Sequence, residues 1–234
     1  MKKFRNLFFV FILSIFANHS YAQFSTYHEI GGTIGPTLFN GDWGKEANYQ
    51  YYLNVSGVEA NIFHNMQFIR TRLAIRNNLG YSYIKSAHKN WDEVEGVEDA
   101  FDAMTGTTQM ITLGSQGEVS FRDFGIYYPR STWTPYVSAG FNVHYYMPTV
   151  ESDMAFPAYY NPRDGHEGII NDSGFAFALK GSVGARFKLT RFVYVFGEFT
   201  VQRSFSDKID GLETASGYTD YVNSFNIGIM YNLY

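Results

Sequence analysis

Between Phe68 and Tyr83 the chain alternates residue by residue, and no other stretch restricts the fold as strongly. Ile69, Thr71, Leu73, Ile75, Asn77, Leu79, Tyr81 and Tyr83 occupy one set of positions; Arg70, Arg72, Ala74, Arg76, Asn78, Gly80 and Ser82 occupy the other. Side chains alternate across a strand, so the run has one mostly apolar face and one cationic, small-residue face. A soluble sandwich would turn the cationic face to water. A membrane barrel would turn the apolar face to lipid and enclose the arginines. The run is about sixteen residues long, more than a globular strand needs and suited to a tilted strand that crosses a bilayer.

The rest of the chain repeats the pattern. From Ser25 to Ile34, His28, Ile30, Gly32 and Ile34 oppose Tyr27, Glu29, Gly31 and Thr33, and Pro36 then marks a loop. A second strand is predicted from Tyr51 to Phe63, with Val58, Ala60 and Ile62 opposite Glu59 and Asn61, and a tight connection at His64 to Gln67. The fourth, Thr107 to Arg122, sets Ile111, Leu113, Val119 and Phe121 against Thr112, Gln116, Glu118 and Arg122. The fifth, Trp133 to Met147, alternates most clearly, with Pro135 near its start where a missing donor is tolerated. Gly174 to Leu189, Phe192 to Ser204 and Val222 to Tyr234 complete the set, the seventh being apolar on both faces near its start.

These strands are joined by long connections near 36–49, 85–106, 148–173 and 205–220 and shorter ones near 64–67, 123–131 and 190–191. Long connections therefore fall at one end of the sheet and short ones at the other, the asymmetry of an outer-membrane barrel. Aromatics near strand ends, Tyr81 and Tyr83 with Trp133 and Tyr145, fit interfacial girdles. The expected fold is all-β: an eight-stranded antiparallel up-and-down transmembrane barrel with four long extracellular loops and periplasmic termini.

Composition agrees with this reading. The chain has 22 Phe, 19 Tyr and only 17% charged residues, below the roughly 25% of ordinary soluble domains. Its mean hydropathy of −0.21 is what a barrel gives when only alternate residues meet lipid. Net charge is −4 without a basic run, so nucleic acid is not an expected partner. The segment Met1 to Ala22, basic and then apolar from Leu7 to Ala17, reads as a signal peptide cleaved before Gln23. Residues 23–234 would then form the barrel in the outer membrane. There is no cysteine, which excludes disulfides and thiol catalysis.

The polar faces collect charge. Glu29, Glu59, Glu118 and Glu198 lie on them with Arg70, Arg72, Arg76, Arg122, Lys180, Arg186 and Lys188. In lipid each central cation would cost roughly 2–4 kcal/mol, whereas inside a closed barrel acids and bases can pair. Eight strands leave an interior just wide enough for side chains to fill. An interior ion-pair network and a non-conducting lumen are therefore expected, built from Glu29, Glu59, Arg70, Arg72, Arg76, Glu118, Arg122, Lys180, Arg186 and Glu198.

No constellation points to catalysis or to a cofactor. The acidic stretch of Asp92, Glu93, Glu95, Glu98, Asp99 and Asp102 lacks calcium-loop spacing and reads as a solvated loop. Glu151, Asp153, Asp164, His166 and Glu167 lack metal-site spacing too. An enzyme would draw on His88 with Ser86 or His166 with Ser173, and His144 reads as an interior structural histidine.

Several segments carry a resemblance. Tyr27-His28-Glu29-Ile30-Gly31 with Gly35-Pro36, Met104 to Thr107, Thr134 to Gly140 and Tyr146 to Asp153 resemble a group of small outer-membrane barrel proteins of the Bacteroidota. The His-Glu-Ile-Gly start is also similar, more weakly, to the small barrel subunit of the type IX secretion apparatus. The resemblance covers nearly all of the chain after the signal segment and implies a barrel without a named active site. In that pattern the terminal aromatic shares the outward face, whereas Tyr234 falls one residue beyond Leu233. Three functional classes follow: a non-enzymatic barrel with outer-membrane lipid and envelope proteins as partners, a barrel enzyme acting on lipid or peptide, and a soluble lipocalin-like carrier with the faces inverted.

Overall fold

The computed structural model describes residues 25–40, 57–87, 104–128, 130–152, 168–169, 172–206, 208–209, 212–213 and 220–233. The signal segment and the acidic stretch lie outside these residues, as do His88 and His166. The strands are β1 (Thr26–Asn40), β2 (Gly57–Phe68), β3 (Leu73–Ala87), β4 (Met104–Ser120), β5 (Trp133–Ser152), β6 (Gly168–Ile169), β7 (Gly174–Lys188), β8 (Val193–Ser204), β9 (Leu212–Glu213) and β10 (Tyr221–Leu233). All except β6 and β9 close one antiparallel barrel in which chain neighbours pair and β1 pairs β10. The two short strands pair with each other.

Closure follows from register. Stepping through cross-strand partners from Ile30 to His64, Asn77, Ser115, Phe141, Leu179, Arg203 and Tyr221 returns to β1 at Asn40, ten residues beyond the start. Such a stagger tilts strands by about 35–45° and leaves no free edge. The wall alternates as the sequence predicts. Ile34, Ile62, Leu113, Phe177 and Ile227 face outward, while Glu29, Asn65, Arg76, Gln116 and Asn226 are buried inside. Rings mark both margins of the outer surface, with Trp133 stacked on Phe187 at the short-turn end and Tyr145 against Phe175 at the other.

Strand boundaries depart from expectation where polar residues face inward. His64 to Gln67, expected to be a turn, is strand: Asn65 and Gln67 point into the lumen and His64 and Met66 point out. The turn falls at residues 69–72, where Arg70 takes φ 61° and the Thr71 hydroxyl donates to the Phe68 carbonyl at 2.9 Å. Pro36 also lies within β1. Pairing to β10 skips Gly35 and Pro36 and resumes in the same register at Thr37↔Ser224, while pairing to β2 continues through them. A proline missing one donor is tolerable when only one of its two ladders needs that donor.

Candidate functional site

The lumen gathers the buried polar and charged residues of the barrel wall, together with two clusters of apolar side chains. The half of the lumen nearer the short turns holds the aromatic residues Phe63, Phe124, Tyr136, Tyr194 and Phe196 together with Met230. Phe124 comes from the connection between β4 and β5, which folds beneath the barrel. Lys188 fixes that connection by donating from Nζ to the Gly125 and Tyr128 carbonyls, both at 2.9 Å. Gly125 has φ 110°, and a Cβ there would collide with the Tyr27 hydroxyl.

Ion pairs lie among these rings, and Arg186 is the direct cross-strand partner of Phe196. Arg76 donates to Glu118 Oε2 at 2.6 Å and to Glu198 Oε2 at 2.7 Å. Arg186 pairs with the other oxygen of Glu118, and the Tyr136 hydroxyl donates to Glu198 at 2.8 Å. The Arg76 guanidinium sits 5.0 Å from the Phe63 ring centre and 5.4 Å from those of Tyr136 and Phe196. Arg186 lies 4.6 Å from the Tyr136 ring. All four ionic side chains are buried. A buried charge persists only when paired and hydrogen-bonded, and here both arginines also lie against π faces.

Above the ions lies a layer of amides and hydroxyls. Asn142 donates to Gln202 at 2.6 Å, Asn61 to Glu59 at 2.6 Å, and Thr112 bonds His144 Nδ1 at 2.8 Å. A final apolar layer of Ile84, Met110, Tyr146, Ala176, Val222 and Ile209 lies toward the long connections. Ile209 enters from the stretch after β8 and is anchored at both ends. Its carbonyl accepts from Thr108 at 2.7 Å and its N–H donates to Asp220 at 3.1 Å.

The sequence-predicted network separates into three groups. Arg76, Glu118, Arg186 and Glu198 meet as ion pairs. Glu29, Glu59 and Lys180 are buried in the lumen; Asn65 donates to Glu29 at 2.6 Å and Asn226 joins Asn61 on Glu59. Arg70, Arg72 and Arg122 are not interior. Arg70 is exposed on the turn, Arg72 pairs with Asp123 at 2.9 Å where both are half-exposed, and Arg122 lies 4.5 Å from the Trp133 ring. Alternation assigns a face only within a strand, and these residues lie beyond the strand ends. The sequence reading missed Phe63, Phe124 and Ile209 as filling residues. The doubly apolar start of the strand holding Tyr194 and Phe196 was the available signal. Among the described residues, no group of three or more His, Asp or Glu side chains could hold a metal ion.

An apolar outer belt, a polar and ionic interior and edge-free closure define a transmembrane β-barrel of the outer-membrane type. No family model matches the sequence, and the search of curated proteins found no match. Solved structures do match. A major outer membrane protein from Thermus thermophilus superposes with a TM-score of 0.51 at 11% identity, over 89% of this chain and 100% of that one. Neisserial surface protein A gives 0.49 at 10% identity, over 88% and 98%. The outer membrane enzyme PagL gives 0.41 at 13%, over 87% and 98%. At these identities the likeness concerns fold alone.

Proposed function

We propose that this chain is a non-conducting, non-enzymatic barrel of the cell outer membrane. It acts through its long extracellular loops or as a subunit of an envelope complex for secretion or assembly. The observation that carries the reading is the packing of the lumen, above all Arg76 bridging Glu118 and Glu198 across it. A pore needs a continuous polar path, whereas here aromatic rings packed with ion pairs occupy one end of the lumen and an apolar cluster with Ile209 the other. The wall thus serves as a scaffold, and recognition falls to the loops it displays.

The reading predicts fractionation with outer membranes and heat-modifiable migration on gels. Purified barrel reconstituted in a planar bilayer is expected to give no conductance steps. Exchanging the loops should alter partner binding, while His88→Ala and His166→Ala should leave the phenotype unchanged. Ohmic channels, or loss of an activity on either histidine substitution, would overturn it.

A further inference from the structure

The outer wall has a polar row where lipid contact calls for apolar residues. His64, Asn77 and Ser115 are direct cross-strand neighbours on β2, β3 and β4, all facing outward. The row toward the long loops is Ile62, Leu79 and Leu113; the row toward the short turns is Met66, Ile75 and Gly117. The polar row therefore lies inside the lipid-facing belt, away from its aromatic margins. His28 on β1 extends it, with Nδ1 2.9 Å from His64 Nε2 and the two rings stacked at 5.1 Å. Asn77 is exposed, and among the described residues neither Asn77 nor Ser115 makes a side-chain hydrogen bond.

An amide facing hydrocarbon without a partner is costly, and polar side chains at membrane depth commonly hold transmembrane elements together. We infer that this wall is a dimerisation surface occupied by a second copy of the chain. An acyl chain has no donor or acceptor with which to satisfy the row. The row is instead self-complementary. An amide has donor and acceptor on one edge, so two Asn77 side chains related by a two-fold axis exchange two hydrogen bonds, and a serine hydroxyl also does both. The relief suits close approach. Gly117 and Ala139, paired across β4 and β5, leave the wall low beside Asn77.

The inference rests on the transmembrane reading, so the experiment reports both. The chain has no cysteine, and a single introduced thiol can form an intermolecular disulfide between copies only where they meet. Asn77→Cys and Ser115→Cys are compared with Phe199→Cys, an outward residue on β8, four strands round the wall. Each is expressed in outer membranes, checked for heat-modifiable migration and oxidised mildly in situ. The expected result is a disulfide-linked dimer as the main species for Asn77→Cys and Ser115→Cys and only a trace for Phe199→Cys. Asn77→Leu in the cysteine-free chain should also reduce the dimer recovered in mild detergent. Monomers throughout, equal dimer from both walls, or crosslinking to a different protein would overturn the dimer. Loss of heat-modifiable migration in the unsubstituted chain would overturn the barrel reading instead.

Discussion

Arg76 and Glu198 stand 122 positions apart in the chain and 2.7 Å apart in the lumen. They belong to β3 and β8, which face each other across the barrel, so their contact exists only once the wall has closed. Arg76 also holds Glu118 on the adjoining strand, and one guanidinium thereby ties β3, β4 and β8 together. Such a link adds little while the wall is open and becomes specific when the last strands pair.

Removing Arg76 should therefore be severe. Arg76→Met leaves two buried carboxylates short of a partner, and breaking a buried pair in this way costs about 3–5 kcal/mol. Arg72→Met removes the half-exposed bridge to Asp123 and should cost about 0–1 kcal/mol. Urea unfolding in lipid vesicles, followed by the heat-modifiable fraction on gels, measures both. Equal losses would show that the interior pair contributes no more than the surface one.

Partial rescue is the next expectation. Glu198→Gln in the Arg76→Met background removes one stranded charge while the amide can still accept from Tyr136, which donates to Glu198 at 2.8 Å. The double substitution should thus be more stable than Arg76→Met alone, because the stranded charge is the larger part of the penalty. A double-mutant cycle with additive losses would argue against direct coupling.

The facing of the strands was legible in the sequence because lipid and lumen impose opposite chemistry on alternate residues. From Trp133 to Met147 every residue faces as its parity predicts. The ends of strands were less legible, for a related reason. Asn65 and Gln67 resemble turn residues in composition, yet they face a polar lumen, so turn-like chemistry is at home inside such a strand. Past those ends parity loses its meaning, which is why Arg70, Arg72 and Arg122 carry the lumen's chemistry without reaching it. Ile209 was hidden for another reason: its partners Met110 and Tyr146 lie far away in sequence, and no local pattern records that a loop returns to them.

The short-turn end supplies a separate test. Lys188 holds the connection bearing Phe124 through two carbonyls, and Lys188→Met should cost about 1–3 kcal/mol by removing both charge-assisted hydrogen bonds, each carbonyl keeping one backbone donor. Gly125→Ala should be destabilising by about 1–2 kcal/mol from backbone strain alone, since φ is 110°, with the Tyr27 hydroxyl adding a clash. In both variants, limited proteolysis from the periplasmic side should cut within residues 121–132 faster than in the parent. Unchanged cleavage would mean that neither Lys188 nor the backbone at Gly125 holds the connection in place.

The membrane reading itself can be separated from a soluble carrier by one charge at two depths. Leu113 is 63% exposed on the outer face of β4, between outward Leu79 and Val143 on the neighbouring strands. Gln109 shares its face two pleats nearer the long loops and accepts from the Tyr81 hydroxyl at 3.2 Å. In a bilayer Leu113→Arg should cost about 2–4 kcal/mol and Gln109→Arg only about 0–1 kcal/mol, because the penalty falls toward the interface. In a soluble barrel Leu113 would already face water, and both substitutions would be close to neutral. Unfolding of the two variants in phosphatidylcholine vesicles gives the difference directly. A gap of a few kcal/mol places Leu113 in hydrocarbon; no gap returns the wall to water and the lumen to the role of a carrier's interior.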